Sequence, residues 1–328
     1  MRVVLCCAGL MLAASQAWPA DLLGEDASDD ILLVGEAMKV ISIAELPQSI
    51  HSAPAAATVI DRRMIDASGA RTIADLLNSV PGFLVVPARS SLDAVTARGL
   101  ADHRSRRLLV LVDGHSTYTP FLHGGVEWGQ LNIDIDDIER IEVVHGSNAA
   151  TNGSYALMGV VNIITRSATA SADTTFRLDR DERLGSHATV GGTVRDQRYA
   201  LAVRASVTDD NGVQGNKHRL NKIATRTRLD WSLTEADSLT VAIDASNLQT
   251  DTGFRFSHNN PIHPYELDRI GASFRWAHIL STGNEWHLRG SFTRREGREH
   301  VPATVNADLK LTRFSGGCRF KTDTPLSH

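Results

Sequence analysis

Cysteine is nearly absent from this sequence, and aromatic residues are few. Of three cysteines, Cys6 and Cys7 lie in the N-terminal apolar run and only Cys318 lies beyond it. A mature chain with one cysteine forms no internal disulfide. Aromatics make up 5% of the residues, low for a membrane protein. Beyond the N-terminus no stretch approaches the roughly 18 apolar residues of a spanning helix. That excludes a helical membrane span and says nothing against a barrel, whose alternating strands average out to a soluble-looking hydropathy. An excess of positive charge is also missing: the formal net charge is −4, so no global basic field points to nucleic acid. Enzyme signatures are missing too. There is no Walker loop, no His-Glu-x-x-His and no Gly-x-Ser-x-Gly, since Gly114-His115-Ser116 lacks the closing glycine. The expectation is a protein with no catalytic residues, no resident metal and no cofactor.

What is present begins with an export signal. Arg2 supplies positive charge, an apolar run follows from Val3 to Ala14, and Ser15 and Ala17 are small. This is the pattern of a signal peptide over residues 1–17. Cleavage after Ala17 is favoured, because cleavage after Ala20 would place the bulky Trp18 three positions before the cut. Residues 18–45 then read as an extended leader in which Asp29 and Asp30 precede the apolar run Ile31, Leu32, Leu33, Val34 and Gly35.

Residues 46–168 read as a compact mixed α/β domain. Thr58–Ile60 is a short strand, followed by a helical stretch from Arg62 to about Ala67 that stops at Gly69. Thr72 and Asp75 have capping-box spacing, and Ile73, Leu76, Leu77 and Val80 share one helical face before Pro81-Gly82. Leu84–Val86, Leu108–Val112, Ile141–Val144 and Val160–Thr165 read as strands, the second closed by the turn pair Asp113-Gly114.

From residue 174 the period changes to two. Tyr199, Leu201, Val203, Ala205 and Val207 face one way, while Arg198, Ala200, Ala202, Arg204 and Ser206 face the other. The same alternation sets Ile223 and Trp231 against Arg226 and Arg228, and Val241 and Ile243 against Asp244. Such strands fit any half-buried antiparallel sheet. Two features favour a membrane barrel: strands of about 10 residues or more, and connections that alternate between short turns (near Asp196, at 234–237 and 281–284) and long polar loops (208–221, 248–268 and 296–306). About eight strands can be counted, the last losing its rhythm after Leu311. An eight-stranded barrel is filled by its own side chains. It has no room for a domain of this size, so residues 173–328 are expected to be an incomplete barrel with two open edges.

Six segments in order resemble the plug domain of TonB-dependent receptors. They are Ser52–Ile60, Ala74–Leu77 with Val80-Pro81-Gly82, Thr96-Ala97-Arg98-Gly99, Leu109–Gly114, Ile138–Val143 and Gly159–Thr165. The resemblance implies an α+β plug domain followed by antiparallel transmembrane β-barrel strands in the cell outer membrane. It implies uptake of a scarce ligand, such as a ferric siderophore, through a barrel of about 22 strands. It also implies a periplasmic partner, TonB with its inner-membrane energising complex, that captures an extended box by β-augmentation. Ile31, Leu32, Leu33, Val34 and Gly35 are the box candidate, with Met38–Ile43 as an alternative.

Arg98, Glu139, Arg140 and Glu142 are candidates for a charge network between plug and barrel. His115, Tyr118, Phe121 and His123 are candidates for ligand contact, against the plainer reading of exposed loop residues. The chain departs from the family where Arg-Gly-Pro is usual and His145-Gly146-Ser147 stands instead. There His145 would be a weaker, pH-dependent partner. Two alternatives stay open: a truncated or ligand-binding product that does not transport, and a small passive barrel with an appended periplasmic domain.

Overall fold

The computed structural model describes residues 39–40, 48–49, 56–89, 92–99, 104–118, 124–146, 155–181, 185–210, 219–252, 262–280, 284–299 and 307–321. The signal peptide, the Ile31–Gly35 run, Phe121 and His123 lie outside the described residues. Two short strands come first, β1 (Lys39–Val40) and β2 (Gln48–Ser49), paired antiparallel. Lys39 pairs with Ser49 and Val40 with Gln48.

The plug-like unit contains β3 (Ala57–Ile60), α1 (Arg62–Ser68), α2 (Ile73–Leu77), β4 (Phe83–Arg89), β5 (Leu92–Ala97), β6 (Leu108–Val112), β7 (His115–Ser116), β8 (Ile138–His145) and β9 (Gly159–Thr165). One sheet runs in the order β3-β8-β9-β6-β7, with β6 parallel to β9, and β4-β5 form a separate hairpin. Local chemistry sets the helices. Asp61 caps α1 by accepting from the Met64 amide, and Gly69 ends it at φ 65°, a left-handed position that suits glycine. The capping box expected at Thr72 and Asp75 is present at α2. The helix is shorter than the apolar spacing suggests, because the chain tightens: Asn78, Ser79 and Val80 each bond back three residues instead of four. The apolar face still docks. Ile73, Leu76, Leu77 and Val80 join Ile60, Ile141, Val161 and Ile163 in one buried core. Each such side chain contributes about 1.5–3 kcal/mol.

Eight antiparallel strands follow in sequence order: β10 (Thr174–Asp181), β11 (Gly185–Arg195), β12 (Tyr199–Asp210), β13 (Leu220–Ser232), β14 (Asp237–Thr252), β15 (His263–Ile279), β16 (Glu285–Glu299) and β17 (Ala307–Lys321). The sheet is open: β10 and β17 are its edges and do not pair. Val203, Val207, Ile223, Trp231, Ile243, Ile270 and Phe274 stand exposed on one face. Ala200, Arg204, Ala224 and Ala242 are buried on the other, the face that carries the plug-like unit.

The strands extend well past the limits read from the sequence, into the stretches expected to be loops, and β17 continues to Lys321. The reason is a reversal of pattern. At the long-connection end the outward face turns polar. There Asn247 donates to Asp268 at 2.8 Å and Gln249 to Glu266 at 3.5 Å. The inward face there turns apolar, with Leu220, Leu248 and Leu267 clustered and buried. Water replaces lipid outside that level, so alternation inverts while the ladder continues.

Candidate functional site

The site is the surface where the plug-like unit meets the strand wall. Its plug half is built from two turns. Asp113 closes β6 at φ 48° and accepts from the Thr165 amide at 2.9 Å and the Thr165 hydroxyl at 2.7 Å. The second turn is the segment 131–137, which leads into β8. There Asp134 caps a short 3-10 turn by accepting from the Asp136 amide at 3.2 Å.

The wall half is the inward parity of β10–β14. Arg226 Nη2 and Arg228 Nη1 lie 3.6 and 3.9 Å from Asp113 Oδ2. Arg228 also donates to the Thr165 hydroxyl at 2.6 Å. Arg204 pairs with Asp137, and Arg177 lies 3.3 Å from Asp136. His187 Nε2 is 2.8 Å from Asp134 Oδ2, and Thr189 donates to the same oxygen at 2.5 Å. Lys222 reaches furthest, its ammonium donating to the carbonyls of Gly129 at 3.0 Å and Leu131 at 2.5 Å. Two contacts run the other way. The Ala168 amide donates to Asp230 at 2.6 Å, and Asn132 donates to Asp244 at 3.1 Å.

The electrostatics follow from burial and pairing. Burial opposes ionisation of Asp134, but hydrogen bonds from His187 and Thr189 outweigh it and hold the carboxyl well below the usual range. An acid depressed in the folded state contributes stability above its unfolded value of about 3.9, lost only as pH falls through the folded one. Asp137 is raised instead, because burial exceeds the help from Arg204 and Arg226.

A chamber of about 220 Å³ lies between the start of α2, residues 128–137 and strands β11–β13. Asp93 lines it, and burial, with Asp75 and Asp210 nearby, pushes its carboxyl up to about 7. A raised acid destabilises the folded state progressively as pH rises from about 4 to 7. Asp93→Asn is therefore expected to stabilise the fold above pH 7, by at most on the order of 4 kcal/mol, and to have little effect at pH 4. Thermal melting at the two pH values checks this.

The residues singled out in the sequence are distributed differently. Arg140 pairs with the fully buried Glu142 at 3.0 Å, both on β8. Glu139 lies 3.7 Å from Arg166. Arg98 is exposed at φ 55°, its amide bonded to the Gly82 carbonyl at 2.7 Å. The described contacts of these four stay within the plug-like unit, and the plug carboxylates that cross to the wall are those of Asp113, Asp134, Asp136 and Asp137. His145 also turns inward, to Thr58 at 2.9 Å. Its pKa is lowered by burial and by Arg98.

His115 and Tyr118 make different contacts. His115 sits beside the wall, its pKa lowered by burial and by Arg289. Tyr118 stacks on Tyr155 at 3.8 Å, and its carbonyl accepts from Arg313 at 3.3 Å. Among the described residues no cluster of three or more His, Cys, Asp or Glu is placed to hold a metal ion.

This geometry sets a mixed α/β unit, held by ion pairs, against an open wall of amphipathic strands. Residues 49–160 match the family profile described as the TonB-dependent Receptor Plug Domain. The iron-regulated outer membrane virulence protein of Vibrio cholerae is 38% identical over 132 residues, 39% of this chain and 20% of that protein. The vitamin B12 transporter BtuB of Photobacterium profundum is 35% identical over 152 residues, 46% of this chain and 22% of the transporter. Among solved structures, the alcaligin outer-membrane receptor FauA of Bordetella pertussis superposes with a TM-score of 0.65 at 15% identity. That match covers 86% of this chain and 46% of the receptor.

Residues 49–160 thus match the plug domain of TonB-dependent receptors, and eight antiparallel strands follow it. The matches cover about a fifth of the length of these curated relatives.

Proposed function

We propose that this chain works in energy-coupled uptake across the outer membrane, with an iron complex such as a ferric siderophore as its ligand. The observation that carries the reading is the seating of the plug. Its aspartates meet wall arginines through partly hydrated ion pairs, whose strength depends on water access, which suits a stopper that is pulled and released. The relatives named for iron regulation and for vitamin B12 transport support uptake of a scarce ligand.

In this reading residues 1–17 are the signal peptide, 18–45 the leader, 46–168 the plug and 173–328 the first part of the barrel. Ile31–Gly35 is the segment that TonB binds. Arg98, Glu139 and Arg140 are offered to wall strands beyond these eight, with Glu142 holding Arg140 in place. His115, Tyr118, Phe121 and His123 are the residues proposed to contact ligand. About 14 further strands would complete the barrel.

A second reading is a product that binds ligand without transporting it. Cysteines placed one at a time at 31–35 are expected to cross-link to TonB more strongly when ligand is added. No cross-link from a folded, membrane-inserted protein would remove the coupling claim. Ligand-dependent growth of a deletion strain carrying this chain separates transport from binding alone.

A further inference from the structure

The ring of His187 on β11 bridges plug and wall. Its Nε2 lies 2.8 Å from Asp134 Oδ2, and its Nδ1 lies 2.9 Å from the hydroxyl of Thr208, its ladder partner on β12. Thr189 donates to the same Asp134 oxygen at 2.5 Å. Burial works against ionisation of Asp134, yet the bonds from His187 and Thr189 hold its carboxyl well below the usual range. An ionised carboxylate only accepts, so Nε2 carries a proton in every state of the ring. Nδ1 is the atom that gains or loses one. Bare, it accepts from the Thr208 hydroxyl; protonated, it donates to the same oxygen, whose own hydrogen rotates away. Both states keep their hydrogen bonds. The change on protonation is therefore one positive charge beside Asp134.

That charge acts at the root of the plug's acidic turn. Asp134 caps Ile135–Asp137, and the same turn presents Asp136 to Arg177 and Asp137 to Arg204. On β10, Asp179 stands opposite His187 in the ladder and favours a cation there, while Arg177 pairs with it at 2.5 Å. Around the shared chamber stand Asp93 from the plug hairpin and Arg71 and Asp75 at the start of α2. Arg204 and Asp210 on β12 and Lys222 and Arg226 on β13 complete the charged groups. Arg204 is tied to Asp137, and Lys222 to the carbonyls of Gly129 and Leu131. Among the described residues, those bonded to the ring itself are one carboxylate and two hydroxyls.

We infer that His187 is a pH latch: charged, it locks the 134–137 turn to the wall, and neutral, it loosens the seat of the plug. Seating tightens as acid charges the ring and loosens as base discharges it, the sense of linkage for a proton held more firmly in the seated state. The latch concerns seating alone and stands whether or not the chain transports.

The test uses the full chain folded in maltoside micelles, with Asp93→Asn to remove a carboxyl that titrates in the same sense. Dyes on Arg63→Cys of the plug and Arg294→Cys of the outward wall, in a Cys318→Ser background, report the separation of the two. The urea midpoint at which the dyes part, while circular dichroism shows the wall still paired, is expected to be about 0.5 M or more higher at about pH 5.5 than at about pH 8. His187→Gln keeps a neutral donor toward Asp134 and should abolish the shift. His278→Gln, whose ring bonds Asp237 on the outward face, should leave it unchanged. Asp134→Asn still caps the turn and should also abolish the shift, which keeps the test decisive should His187→Gln fail to fold. The latch is overturned by equal midpoints at the two pH values in the parent, by a shift that survives in folded His187→Gln or Asp134→Asn, or by a shift lost in His278→Gln.

Discussion

Ile243→Arg will destabilise the chain in bilayer vesicles by about 2–4 kcal/mol, and Leu239→Arg by about 0–1 kcal/mol. Both residues lie on the outward parity of β14, opposite Thr227 and Trp231 of β13 in the ladder. Ile243 stands mid-strand and is 51% exposed, a poor arrangement in water and a favourable one in hydrocarbon. Leu239 is two residues from the Thr234–Asp237 turn, where a guanidinium can reach the headgroups. A soluble sheet would show no such gradient, because arginine at either exposed position costs little in water. Urea unfolding of the two variants in the same vesicles measures the difference.

The second large effect is expected at Lys222. Its ammonium is buried and satisfies two plug carbonyls, Gly129 within the Trp128–Gln130 turn and Leu131 just after it. Lys222→Met keeps the aliphatic stem and removes the donors. Each buried acceptor left unsatisfied costs about 1–3 kcal/mol, so the plug–wall contact should weaken by roughly 2–6 kcal/mol. Limited proteolysis should then cut the plug at lower urea, while heat-modified mobility of the strand wall stays as in the parent. Unchanged protease resistance would show that this clamp contributes nothing to seating.

Much of the architecture was legible in the sequence because it rests on short-range patterns. The capping box at Thr72 and Asp75, the Gly69 stop and the period-two faces of β12–β14 follow from local chemistry and side-chain direction. The wall half of the site was legible for the same reason, since Arg204, Arg226, Arg228 and Asp244 fall on the polar parity. The plug half was not. Asp134, Asp136 and Asp137 read as an ordinary acidic turn, and nothing local shows that basic residues 40 to 90 positions later will face them. Arg140 and Glu142, two charges spaced by two on a strand, share a face and pair with each other. The strand ends were misread because alternation inverts at the water boundary, where Leu248 and Leu267 turn inward.

The central claim is that one face of residues 174–320 lies in lipid while the other carries the plug. Single spin labels at each position from Ile223 to Trp231, in a Cys318→Ser background reconstituted in bilayers, read it most directly. The account predicts that 223, 225, 227, 229 and 231 collide with dissolved oxygen and are shielded from an aqueous nickel chelate, and that 224, 226, 228 and 230 show low oxygen access. Uniform chelate access along the strand, or no period of two, would contradict it.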